Sequence, residues 1–342
     1  MTPTVLYINL SKLAADIRTT TFTPPAKKIS LPVDRHKTKI YYAININKPV
    51  EVSFCYFDFV VSDALYSLYQ AKKATDLSKD SVVVSLGEIL RIMSGHPNQT
   101  LTATKKNMLR ASIEKLMSTH IIIDFSNELK QRNIESTEKC IEGFLAPLEV
   151  EKTDSSGEAL SYRFVGEMPL YRYASNVNRQ IARFPVELMR TSKSDTIEAI
   201  EIKHYLIRRL ERLRNPKNRV SQPKISYIWN EKTNPNGTNG LLSEVGIIRG
   251  KPHFASLPEW RQKVCSVDKT VRSILDDFKA KNYIYGYDSY DDIIYDMPGG
   301  ITLLPKENPE SSTKSRKKTK PVYVADPFLL LQEKKKSQSE HS

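Results

Sequence analysis

The chain of 342 residues is long enough for two domains of ordinary size, and 39% hydrophobic with 27% charged residues describes a globular protein. Its net charge of +13 favours an anionic partner, nucleic acid or an anionic membrane surface, with a merely basic soluble protein as the alternative. No apolar run approaches the roughly 18 residues of a membrane span, the start "MTPTVLYINLSKLAADIR" lacks the layout of a signal peptide, and Cys55, Cys140 and Cys265 are too few and too scattered for a disulfide framework, which fits a reducing cytoplasm.

Residues 1–54 are rich in Thr, Pro and Lys, and Pro24, Pro25, Pro32 and Pro49 break any helix there. An extended N-terminal arm packing on the domain after it is expected. From Tyr56 to Lys73, Val61, Leu65, Leu68 and Tyr69 share one helical face. "SVVVS" reads as a short buried strand. "SLGEILRIMSG" opens with Ser85 as N-cap and Glu88 three residues later, a capping box, and stops at Gly95. After the loop "HPNQTL" comes a helix over residues 102–119. "HIIIDFS", "CIEGFLAPLEVE" and "SYRFVGEM" then read as strands. The order helix, strand, helix, helix, strand, strand is that of a winged helix.

The second half repeats the plan. "ARFPVELMR" leads into the long helix of "DTIEAIEIKHYLIRRLERLR", ended by "NPK". "KISYIW" is a strand, and "LLSEVGI" a short helical turn set off by the Asn/Gly-rich "NEKTNPNGTNG". A helix opening at Ser266 follows, then the strand "NYIYGYD" and a hairpin turning at "DSYDD" or near "MPGG". This is an internal repeat of a whole domain. After Leu304, "KENPESSTKSRKKTKP" is polar and basic without apolar periodicity, so disorder is expected. The fold class read from the sequence is therefore α+β. It comprises an N-terminal arm (1–54), two tandem winged-helix (wHTH) domains (55–176 and 177–304) and a flexible basic tail (305–342).

On a helical wheel, Leu109, Ile113 and Leu116 turn one side of the first repeated helix inward, leaving Thr104, Asn107, Arg110 and Ala111 on the other. In the second, Val267, Val271, Ile274 and Phe278 go in while Lys269, Arg272, Ser273 and Asp276 point out. A helix held by one narrow apolar stripe leaves its other face free to enter a major groove. There Asn pairs bidentately with adenine, Arg with guanine, and Ala or Thr contacts the thymine methyl. Lys105, Lys106, Lys279 and Lys281 suit phosphates. Arg208, Arg209, Arg212 and Arg214 form a further basic cluster beside only two acids, Glu201 and Glu211, and phosphate contact is expected of it. Either repeated helix alone reads equally well as an ordinary amphipathic helix. Two of them in a chain of +13 favour DNA.

For catalysis the sequence offers little. "GIIRGKP" at Gly246 is too short for a phosphate-binding loop and has Pro where Ser or Thr belongs. The six histidines are scattered, and Cys and His show no zinc spacing. Tyr283, Tyr285, Tyr287, Tyr290 and Tyr295 raise a tyrosine nucleophile or a base-stacking platform, although period-two Tyr is more often strand packing. No enzyme, cofactor or metal is expected.

The chain resembles the winged-helix plasmid replication initiators, the iteron-binding Rep family. "VSFCYFDFVVSDALYSLY" is similar to the opening of that family's first domain. "TATKKNMLRASIEKLMSTHIIID" is similar to its first recognition helix and strand. "ARFPVELMR…IKHYLIRRLERLR" and "SVDKTVRSILDDFKAKNYI" correspond to the start and reading helix of its second. The resemblance spans roughly residues 40–304, and the loop "NEKTNPNGTNG" departs from it. It implies binding to direct repeats in a plasmid origin, opening of adjacent AT-rich DNA, recruitment of the host initiator and replicative helicase, and autorepression as a homodimer. Thr104, Asn107 and Arg110, then Lys269, Arg272 and Ser273, are the residues it carries over. Two rivals stand beside it. A winged-helix transcriptional regulator shares every residue named, and a rolling-circle nickase would use one tyrosine of the 283–295 cluster.

Overall fold

The computed structural model describes residues 4–8, 21–22, 29–33, 38–44, 52–75, 82–133, 135–175, 181–191, 196–214, 224–228, 240–245, 257–292 and 296–306. The expected tail disorder, the loop "NEKTNPNGTNG" up to Asn239, and Tyr295 lie outside them.

The fold is mixed α+β. Strands β1 (Thr4–Ile8), β2 (Thr21–Phe22), β3 (Ile29–Val33), β4 (Thr38–Ile44) and β5 (Val52–Ser53) precede helix α1 (Tyr56–Thr75). Then come β6 (Val83–Ser85), α2 (Leu86–Ser94), α3 (Ala103–Ser118), β7 (Thr119–Asp124), α4 (Ser126–Arg132), β8 (Cys140–Phe144), β9 (Leu148–Thr153) and β10 (Ala159–Phe164). A short α5 (Pro169–Tyr173) and β11 (Ile181–Pro185) lead to α6 (Ile197–Leu213). The chain continues through β12 (Lys224–Ser226), α7 (Leu241–Glu244), α8 (Leu257–Ala280), β13 (Ile284–Asp292) and β14 (Met297–Pro305).

Two sheets carry the repeat. The first runs β6-β10-β9 and the second β12-β14-β13, all antiparallel. In each, the strand after the first helix lies at an edge and the last strand of the hairpin lies in the middle. Each half therefore follows helix, strand, helix, helix, hairpin with the same strand order. Local signals set the ends. Ser85 and Glu88 complete their reciprocal capping box (Glu88 N to Ser85 Oγ 3.3 Å, Ser85 N to Glu88 Oε2 2.8 Å), and Gly95 ends α2 at φ 74°. Thr102 caps α3 and Thr196 caps α6 through their side-chain oxygens.

Three expectations need correction, and one open alternative is decided. Thr119–Asp124 does not join the hairpin sheet. It pairs with β4 and β8 in a separate four-stranded sheet, β3-β4-β7-β8. "CIEGFLAPLEVE" is two strands in two sheets, divided at residues 145–147, where Pro147 has no N–H to give a ladder. The N-terminal segment is more than an arm: β3 and β4 build that sheet, and β1 pairs antiparallel with β11. The last hairpin does not turn at "DSYDD", which is strand; Asp292 pairs with Met297, so the turn lies next to "MPGG", the other position read from the sequence.

Helix α1 is buried on nearly every side, Asp58, Ser62, Asp63 and Ser67 included. Burial of these polar groups is tolerated because partners reach several of them. The Cys55 N–H donates to Asp58 at 2.8 Å, Lys115 Nζ reaches Asp58 at 3.1 Å, and Ser67 Oγ donates to the Asp63 carbonyl at 2.7 Å. The buried residues of both halves belong to one continuous core, and α1 packs against α6 across the seam between them.

Candidate nucleic-acid interface

The inward stripe of α3 is as read from the sequence: Leu109, Ile113 and Leu116 are buried. Thr104, Asn107, Ala111 and Glu114 are exposed along its outer side, with Met108 beside them. Arg110 does not join them. It is only 8% exposed, because its Nε donates to the Ala159 carbonyl at 2.7 Å, Nη2 to Asp154 at 2.9 Å and Nη1 to Glu158. Lys106 Nζ reaches the same Asp154 oxygen at 2.8 Å. Both cations are engaged by the tip of the β9–β10 hairpin, and Lys105 is half-buried.

Helix α8 starts at Leu257, two and a half turns before the Ser266 start read from the sequence. Pro258 in its first turn was the overlooked signal, since Pro is tolerated where helix N–H groups have no partner. The apolar stripe therefore runs Trp260, Val264, Val267, Val271, Ile274, Phe278, all buried. Lys269 and Arg272 consequently sit near the middle of the helix, not in its opening turns. Lys269 is exposed, and Gln262 and Ser266 extend its outer line toward the N-terminus. Arg272 is partly exposed and tied to Asp268 at 2.7 Å, while Asp268 also accepts the Tyr227 hydroxyl at 2.8 Å. That carboxylate holds the Arg272 guanidinium above its ordinary pKa. Ser273 is half-buried and Lys279 exposed.

The basic cluster of α6 is largely structural. Arg208 pairs with buried Asp63 and lies 5.4 Å over the Tyr56 ring, so it bolts α6 to α1. Arg209 donates to the Lys224 carbonyl at 3.2 Å, joining α6 to β12. Arg212 is half-buried, and burial, then Arg209, push its pKa down. Arg214 lies 4.4 Å over the Tyr283 ring. Lys281 donates to the Glu187 carbonyl at 2.6 Å and to that of Arg190, closing the turn after Val186–Leu188. For Arg110 the expected outward, base-reading placement, and for Arg208, Arg209 and Lys281 the expected phosphate-facing one, are thus replaced by internal bonds. The physical reason is common: a long side chain at a helix margin swings to a nearby carboxylate or carbonyl when one is folded beside it.

Tyr283, just before β13, and Tyr287 and Tyr290 within it are engaged by neighbouring side chains. Tyr283 donates to Glu211, Tyr287 to Asp276 at 2.9 Å, and Tyr290 shares a hydrogen bond with Ser226 at 2.9 Å. Burial first, then Asp276, push the Tyr287 hydroxyl up to about 12. Only Tyr285, 64% exposed, stands out from the strand among those described. No described helix is long and apolar enough to cross a membrane.

No family model matches this sequence, and no curated protein matches it. Solved structures similar in backbone include two of RctB. Domains 2 and 3 of RctB, as a selenomethionine derivative, share 11% identity and a TM-score of 0.43 over 86% of this chain and 98% of that one. A second crystal structure of RctB domains 2–3 shares 11% identity with a TM-score of 0.36, covering 86% of this chain and 96% of the other.

Proposed function

We propose that the protein is a sequence-specific double-stranded DNA-binding protein, built of two tandem winged helices, that initiates replication at direct repeats. The observation that carries the reading is the repeated third helix. In both halves it is held by one apolar stripe and leaves exposed a line of Thr104, Asn107 and Ala111, or of Gln262, Ser266 and Lys269, in a chain of +13. Helices of this kind read base edges in the major groove, the amide of Asn107 suiting adenine and Lys269 suiting guanine or phosphate. The initiator role, with a host initiator, a replicative helicase and a homodimer as partners, extends the resemblance to the plasmid initiators. The protein binds DNA without transforming it. The raised hydroxyl pKa of Tyr287 and the packing of Tyr283 and Tyr290 weigh against these three as a tyrosine nucleophile.

The test has two levels. Selection from a randomised duplex library should yield a preferred sequence. Asn107→Ala should then cost roughly 1–3 kcal/mol on that sequence and little on scrambled DNA. If it loses both in parallel, α3 does not read bases. At the second level, the gene with its flanking DNA should sustain a plasmid if it encodes an initiator. Repression of a reporter without replication would assign a transcriptional regulator instead.

A further inference from the structure

Resting on that reading, we infer that Arg110 and Asp154 are positioning residues: they clamp the β9–β10 hairpin tip to α3 and thereby fix where Thr104 and Asn107 meet DNA. The apolar stripe that seats α3 begins only at Leu109. Every residue from Ala103 to Met108 is exposed or half-buried, so the core alone leaves the N-terminal third of the helix loosely placed. Thr104 and Asn107 lie in that third. The hairpin tip reaches it with side-chain bonds, through Lys106 and Arg110 to Asp154, and through Arg110 to Glu158 and the Ala159 carbonyl.

The tip is itself prepared for the task. Asp154 Oδ1 accepts the backbone N–H groups of Ser156 and Glu158, each at 3.0 Å, and the Ser156 hydroxyl. Oδ2 is thereby left to face Lys106 and Arg110. Gly157, at φ 83°, supplies the left-handed residue the turn needs. Lys106 first, then Ser156 and Arg110, hold the Asp154 carboxyl well below the usual carboxylate range, so the brace stays charged near neutrality. Two cations matched by two carboxylates leave the brace neutral. Neither cation is then offered to a phosphate, and neither acid repels one strongly. Hairpin and helix form one body, in which the hairpin aims the helix.

Asp154→Asn tests this by the sign of its effect. The amide keeps an oxygen for the Ser156 and Glu158 N–H groups but gives up the charge pairing. Kd is measured on the duplex selected by wild-type protein and on a scrambled duplex, across a salt series. Amide hydrogen exchange along α3 is followed in free protein. Removing an acid from a protein whose hairpin merely repels phosphate strengthens binding to both duplexes. The brace instead requires binding to the selected duplex to weaken roughly tenfold while scrambled binding holds or rises, with faster exchange confined to residues 103–108. Arg110→Gln should match it without lowering the salt slope. Parallel strengthening on both duplexes, or unchanged exchange in α3, overturns the brace. A salt slope lowered by about one phosphate in Arg110→Gln, with Asp154→Asn silent, also overturns it and makes Arg110 a direct contact. If wild-type protein binds no duplex, the DNA reading falls while hydrogen exchange still decides the brace.

Discussion

Arg208→Met should unlock the seam between the two halves. Asp63 is 2% exposed in the middle of α1 and holds two donors, the Tyr171 hydroxyl at 2.6 Å and the Arg208 guanidinium. Tyr171 also stacks on Tyr66 with ring centroids 3.9 Å apart, so α1, α5 and α6 meet at this one carboxylate. Taking away Arg208 leaves the Asp63 carboxyl buried without the cation that balances it. Breaking a buried pair by removing one partner costs about 3–5 kcal/mol. For a cooperative unit of this size, 1 kcal/mol moves Tm by roughly 2–4 °C, which puts the loss near 10 °C. Thermal and urea unfolding at neutral pH, followed by circular dichroism, measure it. The double variant Asp63→Leu with Arg208→Met should recover most of the loss, since a buried pair replaced by apolar residues is often neutral. The salt slope of DNA binding should not change in the folded variant, because the guanidinium is occupied internally. A Tm within about 2 °C of wild type, together with a salt slope lowered by about one phosphate, would refute the seam and return Arg208 to the DNA surface.

Glu201 gives the seam a pH dependence. Burial first, then Glu198 and Asp58, push its carboxyl up from 4.5 to about 8, with the Phe57 N–H opposing them. An acid whose folded pKa lies above its unfolded one binds an extra proton when folded. Its stability contribution is complete below about 4.5 and lost as pH rises through about 8. The urea midpoint should therefore fall between about pH 5 and about pH 9, and Glu201→Gln should flatten that fall. Lys269→Ala should lower the salt slope of DNA binding by about 0.9, the share of one phosphate; an unchanged slope would remove α8 from the interface. Gly95→Ala should destabilise by more than about 1 kcal/mol. The residue sits at φ 74°, and an added Cβ would lie 2.5 Å from the Arg190 N and 2.7 Å from Met189. A wild-type urea midpoint would show that this turn and the Met189–Arg190 backbone yield easily.

The sequence alone determined what is periodic or local. Leu109, Ile113 and Leu116, and Val267, Val271, Ile274 and Phe278, turn inward because helical spacing puts them on one side. Ser85, Glu88 and Gly95 bound α2 because caps act within four residues. The order helix, strand, helix, helix, hairpin common to both halves followed from the same signals. Tertiary structure alone decided which partner each face meets. Thr119–Asp124 reads equally well as a strand of either sheet, and its actual neighbour, β4, lies more than 70 positions earlier in the chain. The cations behave likewise. Arg110 and Arg208 were placed on open surface by their spacing, yet the carboxylates that hold them are 44 and 145 positions away. A helical wheel fixes the direction in which a Cβ leaves the backbone. Where a flexible guanidinium ends is set by which acid the rest of the fold brings within its reach.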